Sequence, residues 1–152
     1  MSNSIITQVA DTLCRRLLSA GFIVHRYDAY STNSIYLKLD CGVCNSIRIS
    51  DHTGKGYLKY RYNIGSDIRK KQKTQDTFPR YYYPISDSNA LIEQILRDRA
   101  EKQKKYRKSN YQTYVKENEQ KHKKDAGFWS QARRVYPYQV KEDSSHETIS
   151  EK

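Results

Sequence analysis

The sequence predicts an α+β fold: an N-terminal helix, a three- to four-stranded antiparallel sheet and C-terminal helices. Three observations predict it. Apolar residues recur at helical spacing over residues 5–20, alternate with a period of two over residues 34–64, and return to helical spacing after residue 86. Short turn-forming links between the alternating segments imply an antiparallel meander with one wet face.

In the first element Ile6, Val9, Leu13 and Leu17 form the apolar stripe, widened by Ala10, Cys14 and Leu18. Gly21 is its natural stop, because glycine takes the left-handed conformation cheaply, and Phe22 can close an apolar contact over the helix end. Phe22–Asp28 is short and rich in β-formers, and Tyr30–Asn33 reads as a turn. Ser34–Asp40 sets Ile35, Leu37 and Leu39 on one face and Tyr36 and Lys38 on the other. Cys41–Asn45 is a tight connection around Gly42, and Ser46–Ser50 turns Ile47 and Ile49 inward and Arg48 outward. Asp51–Gly56 has turn chemistry. Tyr57–Ile64 then opposes Leu58, Tyr60, Tyr62 and Ile64 to Tyr57, Lys59 and Arg61.

Residues Gly65–Pro79 read as a long basic loop, and Arg80–Pro84 as an added strand or an anchor for that loop. Ser86 or Asp87 caps a second helix with Leu91, Ile92, Ile95 and Leu96 as its buried stripe. Lys102–Lys108 holds five basic residues in seven and is expected to be solvated. Tyr111, Tyr114 and Val115 form a weaker stripe, Lys121–Lys124 a second basic cluster, and Phe128, Trp129, Ala132, Val135 and Tyr136 restore helical spacing before Pro137. This divides the chain into an α+β core over 1–100, a basic helical extension docking on it over 101–140, and a disordered tail over 141–152.

The 152 residues suit one domain. Only 36% are apolar, so the core is expected to be small, with 14 tyrosines helping to build it. The formal net charge is +11, spread as +5 over residues 1–70, +8 over 71–140 and −2 over 141–152. Such a body attracts polyanions. No apolar run approaches the roughly 20 residues that span a bilayer. The N-terminal positive charges fall in mid-helix, unlike those of a signal peptide, so the expected location is the cytoplasm. Cys14, Cys41 and Cys44 make an odd set, which speaks against a secreted disulfide framework.

Cys41-Gly-Val-Cys44 is the most tempting chemical motif. A redox pair needs a helix N-terminus to lower the thiol pKa, whereas a strand is expected to follow here. A zinc site needs two further ligands, so Cys14, His25 or His52 would have to converge. The plain reading is a strand connection. Asp51-His52 sits in a turn without a recognisable partner for acid–base work. Gly54-Lys55-Gly56 lacks the spacing and the Ser or Thr of a phosphate-binding loop. No catalytic residue, metal ligand or cofactor is assigned.

The outward sheet face is the stronger constellation. Tyr36, Lys38, Arg48, Tyr57, Lys59 and Arg61 are expected to share one surface, and cations interleaved with aromatics suit single-stranded nucleic acid. The plain alternative is a solubilising face with cross-strand pairs. Lys104, Lys105 and Lys108 in the first basic cluster are the competing contact surface, able to touch phosphates without reading sequence.

Four segments carry a family resemblance: Ser34-Ile-Tyr-Leu-Lys-Leu-Asp-Cys-Gly-Val-Cys-Asn-Ser-Ile-Arg-Ile-Ser-Asp-His52, Tyr57-Leu-Lys-Tyr-Arg-Tyr-Asn-Ile64, Arg80-Tyr-Tyr-Tyr-Pro84 and Phe128-Trp-Ser-Gln-Ala-Arg133. Together they resemble small proteins of phages and integrated elements of Gram-positive bacteria. The Ile-Arg-Ile-Ser-Asp-His segment is similar to a strand-and-turn motif in some anti-CRISPR proteins. The resemblance implies a non-enzymatic inhibitor acting in the bacterial host cytoplasm on a CRISPR-Cas nuclease or its guide RNA. A charge of +11 argues against duplex mimicry and for a grip on RNA, or on protein and RNA together. Two other readings stand beside it. One is a free-standing RNA- or DNA-binding protein, which in element order resembles double-stranded-RNA-binding domains. The other is a zinc- or thiol-dependent activity at Cys41 and Cys44.

Overall fold

The computed structural model describes residues 5–29, 33–50, 58–64, 80–124 and 127–137. The fold is α+β, as the sequence predicts, but the sheet is wider: six antiparallel strands rather than three to four. Helix α1 (Ile5–Ser19) is followed by strands β1 (Val24–Asp28), β2 (Ser34–Leu39), β3 (Ser46–Ser50), β4 (Lys59–Asn63) and β5 (Arg80–Pro84). Helices α2 (Ser88–Tyr106) and α3 (Lys108–Gln120) come next, then a 3-10 turn at Gly127–Gln131 and strand β6 (Arg133–Val135). The spatial order is β5-β4-β3-β2-β1-β6.

Helix α1 buries Ile6, Ala10, Leu13, Cys14 and Leu17, one stripe of the expected period. It ends as glycine chemistry dictates. Gly21 takes φ +90, Phe22 N–H donates to Leu17 O at 3.1 Å, and Gly21 N–H donates to Leu18 O at 3.0 Å. Arg99 of α2 completes this end: its Nη2 donates to Ala20 O at 2.9 Å, and its guanidinium lies 3.8 Å from the Phe22 ring centroid. Asp87 caps α2, accepting from Ala90 N–H.

The helices cover the sheet face bearing Ile35, Leu37, Leu39, Ile47, Ile49, Tyr60 and Tyr62, all buried. Each Leu or Ile so enclosed contributes roughly 1.5–3 kcal/mol. Leu91, Ile92 and Ile95 join this core, but Leu96 does not: it is 38% exposed, because its position on α2 turns past the contact with the sheet. Tyr106, Tyr111 and Val115 extend the same core beyond residue 100.

The Phe128–Tyr136 stretch departs from the helical expectation. Arg133–Val135 pairs with β1, setting Val24 opposite Val135 and His25 opposite Arg134. Hydrogen bonds to the open edge of β1 outweigh a helical pattern only nine residues long. The expected turns at 30–32 and 51–56, Tyr57, the loop at 65–79 and the tail at 141–152 lie outside the described residues. No described helix is long and apolar enough to cross a membrane.

Candidate nucleic-acid interface

The antiparallel register fixes which side chains share the outer face. One row runs Tyr27, Tyr36, Arg48, Arg61, Tyr82 across β1 to β5. The next runs Arg134, His25, Lys38, Ser46, Asn63, Arg80 across β6 to β5. Tyr36, Lys38, Arg48 and Arg61 thus lie on one surface, as the alternation predicts. Lys59 lies on that surface too, opposite Ser50 and Pro84, and is exposed. Tyr57 falls outside the described residues.

One half of the face is covered by a neighbour that sequence reasoning placed on a helix. The 3-10 turn lays Phe128 and Trp129 over β1 and β2. Phe128 sits 4.8 Å from Tyr27 and 4.5 Å from Tyr36, centroid to centroid. Trp129 meets Tyr36 edge-on at 6.2 Å, and the Lys38 ammonium lies 4.9 Å from its ring centre. Tyr36 and Lys38 are therefore built into an aromatic wall rather than standing open.

The other half holds arginines. Arg48 donates from Nε and Nη2 to Ser34 Oγ at 3.2 and 3.1 Å, and its guanidinium lies 5.5 Å from the Tyr36 ring. Arg61 is directly opposite Arg48, and Arg80 is near enough to act on it. Burial, then Arg48, then Arg80, pulls the Arg61 pKa below its ordinary value, with Tyr82 and Tyr36 opposing. No carboxylate pairs with any of the three among the described residues. By contrast Arg26 holds Asp11 at 2.7 Å and Asp28 at 2.8 Å, and Arg134 holds Glu119 at 2.9 Å. Arg61 Nε is buried without a hydrogen-bond partner among the described residues. Three guanidiniums with no carboxylate partner among the described residues, one of them with a donor unused there, concentrate positive charge on this part of the face.

Lys104, Lys105 and Lys108 are exposed, the first two in the last turn of α2 and the third opening α3. They belong to the helical layer, on the far side of the sheet from the arginines.

Cys41 and Cys44 lie in the β2–β3 connection, where Asp40, Cys41, Gly42 and Asn45 all take positive φ. The connection is a structural hub. Asp40 accepts from Ile23 N–H at 2.9 Å and from the Tyr111 hydroxyl. Asn45 donates to Tyr62 Oη at 2.8 Å and accepts from Lys102 Nζ at 2.9 Å, and Tyr62 donates to Asp98 at 2.6 Å. Asn118 donates to Cys41 O at 3.0 Å. Both thiols are free and buried, and burial pushes each up to about 12, where thiolate is scarce at neutral pH. No group of three or more His, Cys, Asp or Glu is placed to hold a metal among the described residues.

Comparison of this chain with protein-family models, curated proteins and solved structures finds no match in any of the three.

Proposed function

We propose that this chain is a non-catalytic binding protein that grips the phosphate backbone of RNA through Arg48, Arg61 and Arg80. In the setting its sequence resemblance implies, that RNA is carried by a CRISPR-Cas nuclease in the bacterial cytoplasm, which the protein blocks. The observation that carries the reading is the arginine cluster on the open half of the outer face, which has no carboxylate partner among the described residues. Like charges held together cost stability in the free protein, and a polyanion relieves that cost. Three of the four segments that carry the resemblance meet here, supplying Arg48, Arg61 and Arg80, and the fourth supplies Trp129 on the covered half of the same face.

The test is charge reversal on two surfaces. Arg48→Glu with Arg61→Glu should abolish binding to a guide-loaded nuclease, with the fold retained. Lys104→Glu with Lys105→Glu should leave binding within a few-fold. The opposite pattern would move the contact to the basic helices. The free-standing RNA- or DNA-binding alternative rests on the same cluster. Bare RNA bound as tightly as the loaded nuclease, with a steep salt dependence, favours that alternative.

A further inference from the structure

Asn63 and Arg61 sit two residues apart on β4 and face the same side of the sheet. Each carries a buried polar atom with no hydrogen-bond partner among the described residues: a donor at Arg61 Nε and an acceptor at Asn63 Oδ1. Buried polar atoms are seldom left unpaired, and an orphan of each sign side by side marks a place where something else supplies the complement.

Asn63 also lines a recess of about 180 Å³, together with Lys38, Gly42, Asn45, Ser46 and Trp129. Drug-sized ligands occupy pockets of about 300–1,000 Å³, so this one suits a single flat ring system. One wall is the indole of Trp129. The Asn45 amide is already committed to Tyr62 and Lys102, which leaves Asn63 as the amide free to read a guest. Arg80 stands opposite Asn63 on β5, and Arg61 with Arg48 follows one row along.

From this juxtaposition we propose that the recess is a subsite for one unpaired nucleobase, held against Trp129 with its exocyclic amine donating to Asn63 Oδ1. Its phosphates lie on the neighbouring arginines. The inference rests on the phosphate-binding reading and sharpens it: the partner presents a single strand, since a paired base has no free face or amine. An acceptor on a residue that lines the site favours cytosine, adenine or guanine over uracil, whose equivalent position is a carbonyl.

The chain has one tryptophan, so its fluorescence reports this site alone. The full chain is titrated with short oligocytidylate, oligouridylate and an abasic strand of equal length, at low and moderate salt. Oligocytidylate should quench Trp129 and bind about tenfold tighter than oligouridylate, the scale of one well-placed hydrogen bond to a buried acceptor. The abasic strand should bind without quenching. Asn63→Ala should erase the cytosine preference while keeping salt-dependent binding and a thermal midpoint no lower than that of the parent, because it removes an unsatisfied atom.

Salt-dependent binding without quenching, or a cytosine preference that survives Asn63→Ala, overturns the base site and leaves the phosphate reading standing. No binding of any strand at low salt overturns both.

Discussion

Replacing Arg61 should make this protein more stable and a poorer binder at once. The Arg61→Met side chain keeps similar length and flexibility without donors or charge. In the parent, Arg61 Nε is buried and unsatisfied, a defect that costs about 1–3 kcal/mol. Repulsion from Arg48 and Arg80 adds to that cost, but Arg61 is half-exposed and solvent screens most of it. The loss of side-chain packing beside Tyr82, its cross-strand neighbour, takes some of the gain back. The expected net is about 1 kcal/mol of added stability, or a rise of roughly 2–4 °C in Tm for a domain of this size. Binding moves the other way. One phosphate contact on a single strand contributes about 0.7 to the slope of log affinity against log salt, and the variant should lose that amount. Urea denaturation reads the first quantity and a salt series of binding isotherms the second. Stability and affinity falling together would mean that Arg61 is a structural residue satisfied in the fold, and the anion-site argument would fail.

Two further outcomes follow from buried titratable groups: Asp40, Cys41 and Cys44 in the β2–β3 connection and Cys14 in α1. Burial holds the Asp40 carboxyl above its ordinary value against its hydrogen bonds from Tyr111 and Ile23. The folded state therefore keeps the proton that the unfolded state releases, and the associated stability, full in acid, is lost as pH rises from the ordinary carboxyl value through the raised one. Asp40→Asn should flatten that part of the stability profile, from the ordinary carboxyl value upward, measured as the difference from the parent; parallel profiles would refute it. Cys14 stands at about 11 and Cys41 and Cys44 at about 12, all raised chiefly by burial. A thiol reagent at about pH 8 should modify none of the three in the native protein and all three in denaturant. Fast labelling of Cys41 or Cys44 without denaturant would reinstate thiol chemistry at that motif.

Much of the fold was legible because its signals are local. The α1 stripe and its Gly21 stop, and the alternation of β2, β3 and β4, depend only on neighbours in sequence. Three features escaped, each for a nonlocal reason. Leu96 has the right type and nearly the right spacing, but the angle at which α2 crosses the sheet decides which flank of the stripe is covered. The break between α2 and α3 falls at Arg107, which takes φ +75 although nothing in the sequence marks a glycine-like position there. Strand β6 exists because β1 has an open edge to receive it, which no reading of residues 133–135 alone could reveal.

The candidate face divides along the same line. Alternation alone placed Arg48 and Arg61 on one surface, since period-two patterning is an intrinsic property of a strand. Arg80 was within reach of the same logic once β5 was taken as a strand. Trp129 and Asn63 were not. Asn63 ends an alternating run and reads as an ordinary polar residue; its significance is an acceptor left without a donor, which only a complete set of contacts exposes. Trp129 looked like one member of a helical stripe, whereas the turn that carries it lies across β1 and β2 and walls off Tyr36 and Lys38. That placement changes what the basic, tyrosine-rich surface can be. It is not a uniform sheet of exposed cations and rings, as composition suggests. An aromatic wall closes one side, guanidiniums without a carboxylate partner among the described residues hold the other, and a small recess opens beside Trp129 and Asn63. On the proposed reading, charge would account for attraction to any polyanion, and the asymmetry would let a single strand be told from a duplex.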